Sequence, residues 1–235
     1  MPTTSPNCRT SPVPETAPAV DCGRCPRLVA LRRDLREEFP AWHNAPVPSF
    51  GGTDARLLVA GLAPGRNGAN RTGRPFTGDA AGNVLYPTLK EFGFASGMYE
   101  ERRDDGLKLI DCRITNAVRC VPPGNKPVGA EIAACRGFLA AEIAGLARLE
   151  MILALGRIAH DSVVTALGQK PAQVPFTHGA LHRIDGIAVA DSYHCSRYNL
   201  NTRRLTPEMF TAVVARVREC MDTPTAHRTA LGKLT

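Results

Sequence analysis

An apolar run, Leu57-Leu58-Val59-Ala60, stops at Gly61-Leu62-Ala63-Pro64-Gly65. So short a run cannot make a helix and suits a strand buried on both faces of a parallel sheet. A strand that ends in Gly and Pro opens a loop of small residues at the carboxyl edge of the sheet, where open α/β proteins bind ligands. That loop continues as Asn70-Arg71-Thr72-Gly73-Arg74-Pro75-Phe76-Thr77-Gly78-Asp79, offering backbone amides and one aromatic ring. It is a candidate pocket on these grounds alone.

The rest of the chain alternates strand and helix patterns around that feature. Leu28, Leu31, Leu35 and Phe39 recur at helical spacing and predict a helix over 22–38. A Pro- and Gly-containing loop over 40–53 leads to the strand at 56–60 and a helix over 81–93, with Leu85, Leu89 and Phe92 on one face. Residues 107–118 read as a second strand, broken by Pro122-Pro123-Gly124. A helix is expected over 128–149 and a third buried strand over 151–155, which Gly156 turns into a helix over 157–167. Asp185-Gly186 separates the two arms of a hairpin, 181–184 and 187–190. Thr206 and Pro207 open a last helix, as N-cap and first turn, running to about Met221. This order predicts a three-layer αβα fold with a mainly parallel central sheet, as one domain over 21–222. Residues 1–20, rich in proline and poor in apolar residues, read as a disordered leader, and 223–235 as a polar tail.

No apolar run approaches the length of a membrane span, and the N-terminal stretch lacks the hydrophobic segment of a secretory signal. The expectation is a cytoplasmic protein, monomeric and without a membrane partner. A net charge of +7, carried mostly by arginine, suits a polyanionic partner or simply a solvated basic surface.

Eight cysteines without a secretory signal argue against a disulfide framework and for a metal site or free thiols. Cys22-Gly23-Arg24-Cys25 is a CxxC at the start of a helix. Cys120 sits in a loop just after a strand, and Cys135 lies fifteen residues later on a helix, where a small core residue is the alternative. Four thiolates suit zinc or a [4Fe–4S] cluster equally, so ligand count alone leaves both open.

Three segments together resemble the uracil-DNA glycosylase superfamily, and within it the fifth, B-type family. They are the Gly61–Asp79 loop, the stretch Arg113-Ile114-Thr115-Asn116-Ala117-Val118-Arg119-Cys120-Val121-Pro122-Pro123-Gly124-Asn125-Lys126-Pro127, and His194-Cys195-Ser196-Arg197-Tyr198-Asn199 with Asn201-Thr202 and Arg204-Leu205-Thr206 after it. Their order and their positions at strand ends agree with that family over roughly residues 20 to 220. The resemblance implies that Cys22, Cys25, Cys120 and Cys135 hold a structural [4Fe–4S] cluster. It also implies a uracil-DNA glycosylase-like fold and a monofunctional enzyme of DNA base excision repair. Such an enzyme acts on DNA containing uracil, and beyond it on other deaminated bases such as hypoxanthine and on etheno-adducts, leaving an abasic site.

Such an enzyme flips its target base into a pocket. Phe76 offers a stacking face there, unless it is a core residue. Asn116 carries the donor and acceptor that read a pyrimidine edge, unless it only closes a turn. His194 is placed to donate to the base's O2 as charge develops. Gly61 and Ala63 complete the base-binding set. The better-known glycosylases carry an acidic or amide residue where this chain has Ala63, so acid–base work there is absent and leaving-group stabilisation must dominate. Asn70 and Asp79 are candidates for holding water, although Asp79 could equally cap the next helix. Arg71, Arg74, Arg197, Arg203 and Arg204 are candidate phosphate contacts, with Ser196, Tyr198 and Asn199 beside them. Arg197-Tyr198 is a candidate wedge for the vacated stack. The alternative function is a non-catalytic module that binds damaged DNA through the same pocket. A third reading, resting on the cysteines and charge alone, is a zinc-dependent nucleic-acid-binding protein.

Overall fold

The side chains of the first long strand point alternately into two different cores. In the computed structural model, which describes residues 16–223, strand β1 (Leu57–Gly61) is buried at every position. Leu57 and Val59 pack with Leu85, Leu89, Phe210 and Val214 on one side of the sheet. Leu58 and Ala60 pack with Leu139, Ile143, Val163 and Val164 on the other. A strand buried on both faces must be apolar throughout, which is why 57–60 lacks the alternation of a half-exposed strand.

The sheet has five strands in the order β4-β1-β5-β7-β6. Strands β4 (Cys112–Asn116), β1, β5 (Met151–Leu155) and β7 (Ile187–Ser192) run parallel, and β6 (Leu181–Ile184) is antiparallel to β7. Helices α3 (Gly82–Glu91) and α7 (Pro207–Asp222) supply the first core; α4 (Gly129–Gly145) and α5 (Arg157–Ala166) supply the second. This is the expected three-layer αβα arrangement with a mainly parallel sheet. β1 lies between β4 and β5, and the connection after β1 leads to α3 on one face while those after β4 and β5 lead to α4 and α5 on the other. The crevice this leaves at the carboxyl end of β1 is where open α/β sheets place ligands.

Several boundaries move for local reasons. Helix α1 spans Pro26–Glu38, with Pro26 in its first turn and Cys25 extended as its N-cap, so Cys22 and Cys25 sit on a loop rather than a helix. The expected strand at 107–118 splits at Asp111, whose φ of 51° cannot continue a strand. Its first part, β3 (Lys108–Leu109), pairs with β2 (Ala95–Ser96) in a separate two-stranded ribbon. Helix α4 stops at Gly145 rather than at 149. Two short helices, α2 (Ala69–Thr72) and α6 (Arg197–Asn201), lie inside segments read as loops. The Asp185-Gly186 hairpin turn has positive φ at both residues, 47° and 86°, as expected for its type. The Thr206 hydroxyl caps α7 by accepting from the Met209 N–H at 3.2 Å.

The expected leader lies outside the described residues except for 16–20, where the Val20 carbonyl accepts from Arg36. The tail beyond 223 also lies outside them. Among the described residues, no helix is long and apolar enough to cross a membrane.

Candidate active site

Gly61 ends β1 directly beside Asn116, which ends β4. An added Cβ at Gly61 would stand 2.4 Å from Asn116 Oδ1 and 2.6 Å from Phe76 Cζ. Only a hydrogen at position 61 lets that amide and that ring close over the strand end. Phe76 reaches this position from a strained backbone, φ 52°, held where the Tyr99 hydroxyl donates to its carbonyl at 3.2 Å. His194 follows β7, and its ring centroid lies 5.7 Å from that of Phe76 at 27° between planes.

Phe76, Asn116 and His194 line one cavity of about 650 Å³, whose walls also include Ala63, Asp79 and Arg197, while Gly61 lies beneath it. Ser196, Tyr198 and Asn125 complete its rim. Asn116 is 3% exposed, and its side-chain amide has no hydrogen bond to another described residue. An amide that faces the cavity without a protein partner is poised for a ligand. His194 likewise has no ring hydrogen bond; desolvation pulls its pKa down to about 4, so the imidazole is neutral at physiological pH. The Asn199 amide donates to the His194 carbonyl at 2.8 Å and fixes the backbone that carries it.

Asp79 divides its two oxygens. Oδ1 accepts from the N–H groups of Ala81 and Gly82 at 3.1 and 3.2 Å, capping α3. Oδ2 lies against Gly65 and Gly68; a Cβ on Gly68 would approach it to 2.5 Å. Burial raises the Asp79 pKa despite the two backbone hydrogen bonds. The cap and the cavity roles therefore belong to different atoms of one carboxylate.

Two candidates fall elsewhere. Asn70 is 1% exposed and does not line the cavity; its amide donates to Asn44 Oδ1 at 2.9 Å. It braces the loop and is not placed to hold water. Arg74 is also buried, and its guanidinium grips both Asp105 oxygens, at 2.8 and 2.7 Å, while Nε donates to Thr77. A phosphate cannot reach it. Arg71 and Arg203 are exposed outside the cavity. Ser196 acts first as N-cap of α6, accepting from the Asn199 N–H at 3.4 Å.

A second cavity of about 440 Å³ shares Leu62 and His194 with the first, and Asn199 and Arg204 belong to it. Gly156, Arg157, Phe176, His178 and Tyr193 form much of its wall and were not singled out from the sequence. The signal was present: Met151–Leu155 ends in Gly156 before a helix, repeating the pattern at Gly61. Arg204 lies over the Tyr193 ring at 4.7 Å, and His178 stacks on the same ring at 4.8 Å.

The four expected cysteines converge. Cys22, Cys25, Cys120 and Cys135 line one small hollow with Leu28, Arg32 and Phe138. Burial pushes the Cys120 thiol up to about 12 and raises Cys25 and Cys135 as well. Arg32 donates toward Cys120 Sγ at 3.8 Å, and Arg27 clamps α1 to α4 through both Glu131 oxygens at 2.8 Å. Ala63 packs against this cluster from the cavity side, so the cysteines form the back wall of the first loop.

Comparison with known proteins agrees with this geometry. The family model described as "Uracil DNA glycosylase superfamily" matches residues 48–218. A type-5 uracil-DNA glycosylase of Thermus thermophilus is 45% identical over 200 residues, covering 82% of this chain and 90% of that protein. One from Pyrobaculum aerophilum is 40% identical over 201 residues, 84% and 88% of the two chains. A type-4 uracil-DNA glycosylase of Sulfurisphaera tokodaii is more distant, 31% identical over 185 residues, 76% of each. With three loops meeting at the switch point of the sheet and relatives of this closeness over most of its length, the chain belongs to the uracil-DNA glycosylase superfamily, alongside its type-5 members.

Proposed function

We propose that this protein is a DNA repair glycosylase that hydrolyses the N-glycosidic bond of uracil in DNA and leaves an abasic site. The observation that carries this reading is the convergence of Phe76, Asn116 and His194 on one cavity. A flipped uracil stacks on Phe76, and the Asn116 amide donates its N–H to O4 and accepts from N3–H through its oxygen. The neutral His194 imidazole donates to O2 as negative charge grows on the departing base. A preorganised donor of this kind contributes roughly 3 to 4 kcal/mol in a site closed to water.

The C1′–N bond breaks with its electrons leaving on the base, and the sugar passes through an oxocarbenium-like state. Water held by Asp79 Oδ2 and the loop carbonyls adds to C1′. The Asp79 carboxylate, made more basic by burial, takes its proton. Ala63 leaves the sugar side without an acid or amide, so transition-state stabilisation falls on the base. A cavity walled there by a methyl group admits wider bases, and hypoxanthine and etheno-adducts are the further substrates we propose.

Arg197, exposed, and Tyr198, 72% exposed, contact the DNA around the lesion from the cavity rim. Arg204 serves the second cavity in the same way.

For the cysteines we propose a [4Fe–4S] cluster with a structural role. The convergence of Cys22, Cys25, Cys120 and Cys135 on one hollow, in the order the resemblance implies, supports this reading. Bound there, the cluster would tie the loop before α1 to α4 and to the turn after β4.

Incubating the protein with duplexes carrying uracil, then treating with alkali, tests the function directly. Uracil-dependent strand breaks are expected, with His194→Ala at least tenfold slower and its duplex affinity unchanged. Tight binding without breaks would instead identify a damage-binding module.

A further inference from the structure

Three residues outside the cavity form a hydrogen-bonded cluster that the proposed chemistry does not use. Asp191, near the end of β7, is 0% exposed and receives hydrogen bonds from three separate elements. His160 of α5 meets its Oδ1 at 2.6 Å, and His182 of β6 meets its Oδ2 at 2.9 Å. The Thr177 N–H also donates to Oδ2, at 3.2 Å. On its far side, His160 Nε2 faces the Val174 carbonyl at 2.7 Å.

Among the described residues, this is the trio of His, Cys, Asp or Glu whose ligand atoms all lie within 4.8 Å of one another. A cation is not what they are built for. His160 has an acceptor at each ring nitrogen, a carboxylate and a carbonyl, so both nitrogens must carry protons. Burial works against that charge, yet the bonds to Asp191 and Val174 outweigh it and the His160 pKa is raised. The imidazolium leaves no lone pair for a metal.

A buried ion pair is weak evidence for stability, since a well-packed apolar substitute often folds as well. What it does supply is direction. Here it points at the strand end that presents His194. The segment from Val174 to Ala180 is pinned to β7 through Asp191, whose N–H donates to the Ala180 carbonyl at 3.0 Å and whose carbonyl accepts from Gly179 at 2.8 Å. His178, in that segment, accepts from the Tyr193 N–H at 3.1 Å and stacks on the Tyr193 ring, the residue before His194. The Gly156 N–H donates to the Ser192 carbonyl at 2.7 Å and adds the end of β5. His194 has no ring hydrogen bond of its own, so its aim depends on this backbone.

We infer that Asp191, locked between His160 and His182, is a positioning residue that holds the end of β7 so that the His194 imidazole meets the departing base. The inference rests on the glycosylase reading above. It says that the loss on removing Asp191 is transmitted through His194, because small displacements of a preorganised donor are costly while binding elsewhere is untouched.

The test is a double-mutant cycle on single-turnover uracil excision, with duplex affinity measured in parallel. Asp191→Asn keeps the size of the side chain and removes its charge. Excision is expected to fall about tenfold in the otherwise unaltered protein and less than twofold in the His194→Ala background, with duplex affinity unchanged in both. His182→Gln, which keeps a donor near the Nε2 position, should retain excision, whereas His182→Leu should lose it. If Asp191→Asn fails to unfold cooperatively, His182→Leu replaces it in the same cycle. Nitrogen-15 spectra should show both His160 ring nitrogens protonated in the parent and one protonated in Asp191→Asn.

Equal losses from Asp191→Asn in both backgrounds, or no loss in either, would overturn the inference. Failure of His194→Ala alone to slow excision would instead refute the reading of the active site, and the two failures are distinguishable.

Discussion

Replacing Gly61 with alanine isolates the packing on which the cavity depends. The glycine's φ is not in the left-handed region, so alanine is acceptable to the backbone and the effect is purely one of space. The new methyl would sit 2.4 Å from Asn116 Oδ1, 2.6 Å from Phe76 Cζ and 3.0 Å from Phe76 Cε2. Ordinary contact begins near 3.4 Å, so the amide and the ring must each retreat by about 1 Å. Overpacking of this kind costs roughly 1 to 3 kcal/mol of stability, which a folded domain of this size survives. A reacting group displaced by about 1 Å loses on the order of a hundredfold in rate. Single-turnover excision of uracil from a duplex, read beside thermal unfolding, separates the two effects. The expected result is a modest drop in Tm and a rate loss near two orders of magnitude. Gly61→Ala excising uracil within twofold of the parent would refute the claim that Phe76 and Asn116 act on the base from their present positions.

Arg74→Ala should lower stability by about 3 to 5 kcal/mol, because it strands the buried Asp105 carboxylate, and should leave the salt dependence of DNA binding unchanged. Arg197→Ala should do the reverse, reducing the salt slope by about 1 in thermal-stability-neutral protein. Because the His194 pKa is pulled down to about 4 from 6.5, excision should show no inflection near pH 6.5 that disappears in His194→Ala; finding one would contradict a neutral imidazole. The same shift makes stability decline as pH falls from 6.5 toward about 4, where the unfolded chain takes up a proton that the native histidine refuses. Purified protein should be brown, with broad absorbance near ~400 nm that Cys120→Ser abolishes; a colourless protein holding one zinc would overturn the cluster assignment.

Much of this was legible in the chain because it is local. A strand buried on both faces writes itself as an unbroken apolar run, and the glycine that ends it marks a close approach of backbone to another group. Gly61, Asn116 and His194 lie at or near strand ends, so the order of strands and loops was enough to bring them to one edge of the sheet, and Phe76 reaches them from the loop between α2 and α3. The CxxC and the two later cysteines were equally visible as a set, although Pro26 moves the first pair out of the helix they were expected to start.

What the chain could not display is which of two similar polar residues faces the cavity. Asn70 and Arg74 stand in the same loop as Asp79, yet one is engaged by Asn44, 26 positions away, and the other by Asp105, 31 positions away. His160, Asp191 and His182 meet only because α5, β6 and β7 are neighbours in the folded sheet and its helical layer. Periodicity and turn chemistry act between neighbours in sequence and settle the elements; the partner of a buried charge is chosen by packing between distant segments, and that choice exists only once the tertiary structure has formed.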